Sequence, residues 1–287
     1  MAKTLRIRLD TTQYREPTEQ EVRDAKDYVL RMSEYADLLG DRVMNILREA
    51  AERIVQICYK YNIAPKDFQI SANKQMQEEI YAVMDEVEEE IYDMMEEYAT
   101  RCTDDRDIIP LLIAWMALLG RGNKNLHDTL TDKLRQFLYD LEAQISAMML
   151  AGYSQTKALK RILETLTNVY SSPEMRKAIM RPLNSAAYYV QQGGVHHGNV
   201  GQSSSGANNV INTVKTTLNM VWQKALQFIY KKMGAVGYYQ LRGSTYPCDL
   251  CQSLVGFHKG LEGINEKPMV HPNCMCYRIP VYKKDLT

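Results

Sequence analysis

The sequence predicts a mainly α protein with a small C-terminal α+β unit, in which long helices are followed by a cysteine-stapled strand pair. Three features of the chain predict this. Apolar residues recur at three- and four-residue steps through most of the first 190 residues, the period of helices with one buried face. A stretch rich in Gly, Ser and Asn, Gln191–Asn209, then interrupts the pattern. Beyond it stand one more helical pattern, two strand-like runs and four of the six cysteines. The expected division is 1–190 as a long-helix domain with a short N-terminal strand, 191–209 as a linker or loop, and 210–287 as a helix plus Cys/His strand unit. Glycine and serine make such a stretch a natural boundary.

Leu5–Leu9 (LRIRL) alternates apolar and basic residues, the period of a half-buried strand. Thr18 followed three residues later by Glu21 forms a capping box, which starts a helix. Val22, Ala25, Val29, Met32, Tyr35, Leu38 and Leu39 carry it on, Gly40 marks a candidate kink, and the pattern resumes through Val43, Ile46, Ala50, Ile54 and Cys58. The run YNIAPKD ends it, because proline disfavours helical geometry in the residue before it. A second long helix is predicted over Ser71–Ala99, with Ile80, Val83, Val87, Ile91, Met94 and Tyr98 as its apolar stripe. Further helices are predicted over Arg106–Leu119, Asn125–Leu150 and Ser154–Tyr170, and another from Ser172-Pro173. Ile108–Gly120 is the most apolar run; it is too short to span a bilayer and contains Pro110, which predicts a buried helix. After the Gly-rich stretch, Val210–Gly234 reads as one amphipathic helix stopped by glycine. AVGYYQLRGS and MCYRIPVY read as strands on either side of a cysteine turn and a loop.

Lys+Arg and Asp+Glu are equal at 35 each, so no global charge draws the chain to nucleic acid. Sixteen Met and nineteen Tyr stand against four Phe. Met fills irregular gaps in helix cores and adapts at surfaces buried on assembly, and Tyr keeps a polar end for water or a partner. No signal-peptide pattern opens MAKTLRIRLD and no membrane-length apolar run follows, so synthesis in a reducing cytoplasm is expected.

The second helix carries DEVEEEIYDMMEE, whose carboxylates read as a solvated or docking face, with no histidine beside them to complete a metal set. His196-His197 lies in the Gly-rich loop and reads as solvated. The glycines there match no phosphate-binding fingerprint. Lys157–Arg161 (KALKR), with Arg176, Lys177 and Arg181 on the following helix, offers a basic strip for phosphate, or an ordinary solvated face.

The cysteines carry the chemistry. Cys248 and Cys251 form a C-x-x-C knuckle whose sulfurs turn toward one point, and His271, Cys274 and Cys276 supply a second group. Zinc takes four tetrahedral Cys/His ligands, commonly two from a knuckle and two from a distant segment. Five donors compete for four places. Cys274 and Cys276 share a face if they lie on a strand; alternatively, Pro272 opens a turn in which His271 and Cys274 converge and Cys276 is spare. His258 is a sixth, weaker candidate. A structural zinc is the expected cofactor; packed thiols or disulfides formed after release from the cell satisfy the same spacing. No nucleophile elbow or redox βαβ context surrounds these residues, so no enzyme activity is expected.

At these residues the sequence resembles a known family. YYQLRGSTYPCDLCQSLVG followed by HPNCMCYRIPV is similar to the closing motif of phage head-morphogenesis proteins, the Mu F-like minor capsid family. The family pattern is a C-x-x-C, a variable loop, then His-Pro-x-Cys-x-Cys and a hydrophobic strand with proline. Here these are Cys248, Cys251, His271, Pro272, Cys274, Cys276 and Pro280. The helix with Trp222 and the Gly-rich loop before it stand in the family's places, so the resemblance covers Gly193–Tyr282, roughly a third of the chain. Lys215-Thr216-Thr217 stands where the family often has Arg-Thr-Glu, and Met275 where it usually has Arg. Only YKKDLT follows the motif, so the toxin or enzyme extensions of some members are not expected.

The resemblance implies a structural virion component, in few copies, inside the phage head after assembly in the bacterial host cytoplasm. The implied partners are the portal and other head proteins, with a role in head assembly, and for some members passage with DNA at ejection. Two other readings stand beside it: a metal-supported nuclease or toxin-like enzyme, and a DNA-contacting virion protein using the basic strip.

Overall fold

In a computed structural model, residues 15–120, 124–169, 173–175, 205–243, 249–261 and 276–283 are described. The chain is mainly helical with a small three-stranded antiparallel sheet near the C-terminus. In order come helices α1 (Glu19–Lys60), α2 (Lys74–Arg101), α3 (Ile108–Ala117), α4 (Leu126–Leu150), α5 (Gln155–Thr165) and α6 (Gly206–Lys232). Strand β1 (Ala235–Leu241), short helix α7 (Asp249–Ser253), and strands β2 (Gly256–Lys259) and β3 (Tyr277–Tyr282) follow. The Leu5–Leu9 strand expected from the sequence lies outside the described residues, as does most of the helix expected from Ser172, of which residues 173–175 are helical.

The helix starts follow from capping chemistry. Thr18 N donates to Glu21 Oε2 at 2.7 Å while Glu21 N donates to Thr18 Oγ1 at 3.3 Å, the reciprocal box that the sequence predicts. Asn73 Oδ1 accepts from Met76 N at 3.0 Å, so α2 begins after Asn73 rather than at Ser71; Ile70–Ala72 forms a single 3₁₀ turn. Asn125 Oδ1 accepts from Asp128 N at 2.8 Å and opens α4. Ser205 Oγ accepts from Asn208 N at 3.2 Å, so α6 starts at Gly206, inside the stretch that composition assigns to the linker. Residues 191–204 of that stretch lie outside the described residues.

The chain divides into two compact units, and the division falls inside α1, α2, α3 and α6. Leu38–Glu97 and Trp115–Lys215 make one unit. Its described elements are helical, and Leu47, Ile54, Ile80, Ile91, Leu130 and Leu141 are buried in it. The predicted α2 stripe of Ile80, Val83, Val87, Ile91 and Met94 is buried as a set. Gly40 does not end α1; a Cβ there would lie 3.0 Å from Lys215 Cδ, so the missing side chain makes room for the lysine stem. Gly206 has a stricter reason. A Cβ on it would lie 2.4 Å from the Phe137 backbone on α4, and its N–H donates to Asp140 Oδ2 at 2.6 Å. The start of α6 thus touches α4 backbone to backbone, which only glycine permits.

Met1–Asp37, Tyr98–Ala114 and Thr216–Thr287 make the other unit. Its sheet has the order β2-β1-β3 with both pairings antiparallel. Pro280 sits on β3, an edge strand among the described residues, where its missing N–H costs no central ladder bond. Tyr238, Gln240 and Arg278 share one buried face, and Tyr239, Phe257, Tyr277, Ile279 and Val281 the other. A sheet buried on both faces loses the apolar–polar alternation that announces a strand in sequence. β2, four residues that begin at Gly256 and stop before Gly260, both glycines at positive φ, carries no such signal and reads as loop.

α3 departs from the expectation of a buried helix. Ile108, Leu112 and Met116 are buried, but Leu111 is 55% exposed, and Leu118, one residue past the helix, is 76% exposed. The helix is apolar all round, yet only one stripe is covered. No described helix is long and apolar enough to cross a membrane.

Candidate functional site

Cys248, His271 and Cys274 lie outside the described residues; Cys251 and Cys276 lie within them. Both described cysteines are buried, at 3% and 4% exposure. The strand register fixes the level of their segments. β1 pairs Gln240 with Gly256 and Leu241 with Tyr277, so β1 ends, β2 starts and β3 starts at one end of the sheet. Cys276 directly precedes β3, and Cys251 sits in α7, between β1 and β2. The chain therefore brings the segment after β1 and the segment before β3 to the same end. Arg242 Nη1, just past β1, donates to Gln252 Oε1 on α7 at 3.1 Å and ties Cys251's helix to that end. The C-x-x-C segment is helical after Cys248 rather than a bare turn, but its flanking strands are antiparallel, so it is no βαβ redox unit.

His258, the weaker donor candidate, is occupied otherwise. Its Nε2 lies 2.7 Å from Leu254 O and its ring stacks on Tyr238 at 4.9 Å and 7°. The remaining two cysteines are packing residues: burial pushes the Cys58 and Cys102 thiols up to about 12, away from thiolate chemistry. Among the described residues no group of three or more His, Cys, Asp or Glu side chains is placed to hold a metal ion.

Sequence reasoning missed the buried arginine beside the cysteines. Arg278 on β3 is 8% exposed. Its Nε donates to Gln240 Oε1 at 2.9 Å and its Nη1 to Gln223 Oε1 at 3.0 Å, while its Cζ lies 5.5 Å from the Tyr238 ring centroid. Tyr230 Oη donates to Arg278 O at 3.1 Å, Gln227 Nε2 to Leu261 O at 2.9 Å, and Gln223 Nε2 to Cys276 O at 3.5 Å. α6 thus holds the backbone of Cys276 and Arg278 at β3, and of Leu261 just past β2, through polar side chains. The readable signal was QKALQ in α6, three polar residues spaced as a face is spaced. A groove of about 270 Å³ opens beside this network, lined by Tyr28, Tyr230, Tyr277, Arg278, Pro280 and Tyr282 among others. Burial raises the Tyr230 and Tyr277 hydroxyls, so these two stand in the groove as neutral phenols.

The charged faces singled out in the sequence are partly consumed inside their unit. Glu79 takes Lys60 at 2.9 Å, Glu86 takes Arg53 at 2.6 Å, and Glu88 takes His127 at 3.0 Å and Thr131 Oγ1 at 2.6 Å. The acidic helix therefore meets basic residues of α1, and the His127 ring and Thr131 hydroxyl of α4, instead of presenting an unbroken surface. Arg161 of the basic strip pairs with Glu164 at 3.2 Å and Glu174 at 3.5 Å, and Lys157 Nζ stands 3.8 Å over the Tyr153 ring. Arg176, Lys177 and Arg181 lie outside the described residues, as do His196 and His197.

Comparison with protein-family models, with curated proteins and with solved structures finds no match for this chain.

Proposed function

We propose that this chain is a minor capsid protein of the Mu F-like kind, a structural component of a phage head that associates with the portal and takes part in head assembly. The observation that carries the reading is the ordered set Cys248, Cys251, His271, Pro272, Cys274, Cys276 and Pro280. The strand register supports it by setting both cysteine-bearing segments at one end of the sheet. Cys251 and Cys276 are buried there, and a Cys/His donor set is the chemistry that zinc selects. Zinc, when bound, supplies structural cross-linking between the two segments and no reaction step. The residues that would hold it are four of Cys248, Cys251, His271, Cys274 and Cys276, a clip for a sheet too small to stand on its own core.

The test is quantitative mass spectrometry of purified particles from the phage or prophage that encodes the chain. A fixed, low ratio of this chain to portal in mature or precursor heads is the expected result. Its absence from both would sink the reading and bring nuclease and toxin assays forward.

A further inference from the structure

The groove of about 270 Å³ beside Arg278 lies wholly within the unit that carries the sheet. One wall is a face of α1, with Glu21, Ala25 and Tyr28 at four- and three-residue steps and Asp24 beside them. The other wall is β3, where Tyr277, Arg278, Ile279 and Pro280 all line the groove. Side chains alternate across a sheet, so a groove touching four successive residues runs along the edge of the strand. No further strand pairs with that edge among the described residues. Pro280 takes an N–H out of the strand, and Tyr230 Oη already donates to Arg278 O at 3.1 Å. The groove is therefore shaped for an extended chain but poor in the backbone groups that a ladder strand needs. It offers aromatic surface instead: Tyr28, Tyr230, Tyr277 and Tyr282 line it with Pro280.

We propose that this groove binds a proline-bearing segment of another protein, extended along β3, with a basic residue beside the prolines. Proline has a carbonyl but no N–H, so it suits walls that offer phenolic donors and leaves no donor of its own unpaired. A proline-rich chain is extended before it binds and packs its rings on flat aromatic faces, which keeps the ordering cost low. Charge calls for the basic residue. Residues 15–27 hold five carboxylates, Glu16, Glu19, Glu21, Asp24 and Asp27, against Arg15, Arg23 and Lys26, net −2. Glu21 is taken up by Arg15. Asp24, at the rim, is exposed; its Oδ1 accepts from the neutral amide of Gln20 at 2.7 Å, and no ion pair neutralises it among the described residues. Arg278, the cation of the lining, aims its Nε and Nη1 at Gln240 and Gln223. A basic side chain next to the prolines therefore finds Asp24 open to it. At about 270 Å³ the groove falls just under the ~300 Å³ lower end of small-molecule sites, so it holds a short stretch of chain, with a dissociation constant on the order of 10–100 μM. The inference stands whether or not the chain is a virion protein.

Fluorescence anisotropy of a fluorescein-labelled peptide of Pro-Pro-Arg repeats, titrated with the full chain at low salt, tests it. Saturable binding is expected, and a Gly-Gly-Arg peptide of equal length and charge should bind about tenfold more weakly or worse. Asp24→Lys, at an exposed position, should leave the circular dichroism unchanged, weaken the Pro-Pro-Arg peptide about fivefold and favour a Pro-Pro-Glu peptide instead. Tyr282→Ala should weaken the Pro-Pro-Arg peptide about tenfold. No saturable binding, whether the groove stands empty or is filled by a second copy or by the N-terminal residues of the chain itself, overturns the proposal. So does equal binding of the Gly-Gly-Arg peptide, or an affinity for the Pro-Pro-Arg peptide indifferent to either folded variant.

Discussion

The helical unit and the C-terminal sheet are held by different means. In Leu38–Glu97 and Trp115–Lys215 the buried set is chiefly Leu, Ile, Val and Met from long helices, each with many neighbours and few polar obligations. Around β1 and β3 the buried set includes Gln223, Gln227, Gln240 and Arg278, and the hydrogen bonds among them carry the contact between α6 and the strands. Apolar packing degrades gradually as atoms are removed. A buried polar network loses a partner for every group removed, because each group left behind keeps its desolvation cost. The sheet is therefore the region that gains most from an added clip, and the cysteines flank it.

Substitutions can break or sharpen this contrast. The largest effect is expected in the helical core: Phe137→Ala, at 1% exposure, should cost about 4 kcal/mol in denaturant unfolding, with the greatest loss of amide protection along α4. Next is Arg278→Met, which keeps the stem but leaves Gln240 Oε1 and Gln223 Oε1 without their donor. It should cost about 2 kcal/mol, with the loss of protection concentrated in β1 and β3. If Arg278→Met is neutral, the sheet is held by apolar packing after all and the contrast fails. Ser205→Ala removes the cap of α6 and should cost about 1 kcal/mol by the same unfolding measurement.

The smallest effect is at the start of α1. The Arg15 guanidinium, with the Thr18 hydrogen bonds, holds the Glu21 carboxyl down to about 2 against the pull of burial. A depressed carboxyl stabilises the fold above its unfolded value, and that contribution fades as pH falls from near 4.5 toward about 2. The side chains are 40% and 39% exposed, so solvent screening limits the contribution to about 0.5 kcal/mol. Glu21→Gln should flatten that part of an acid unfolding curve by this small amount and change little at neutral pH.

Legibility in the sequence followed the same divide. The α1 capping box, the α2 stripe and the extents of α1 and α4 were readable because each rests on local chemistry and helical period. Gly206 read as linker because its role, a backbone contact with Phe137 and a hydrogen bond to Asp140 66 residues away in the chain, is set by tertiary packing; the Ser205 cap is local but stands among Gly, Ser and Asn residues that hide it. β2 and α7 are too short for a periodic signal. At the cysteine site the donors were visible as a motif; that Cys251 and Cys276 belong to segments joined to the same end of the sheet came only with the register of β1 against both neighbours. Arg278 was invisible as a buried residue because nothing in YRIPVY tells that its partners are glutamines on α6 and β1.

The most direct test of the account is hydrogen exchange on the purified chain before and after removal of metal by a chelator. The account predicts bound zinc at the start, and faster exchange in Ala235–Leu241 and Tyr277–Tyr282 once it is removed, with Leu126–Leu150 unchanged. A chain that carries no zinc, or whose strands exchange at the same rate with and without it, would contradict the claim that a metal clip holds the sheet.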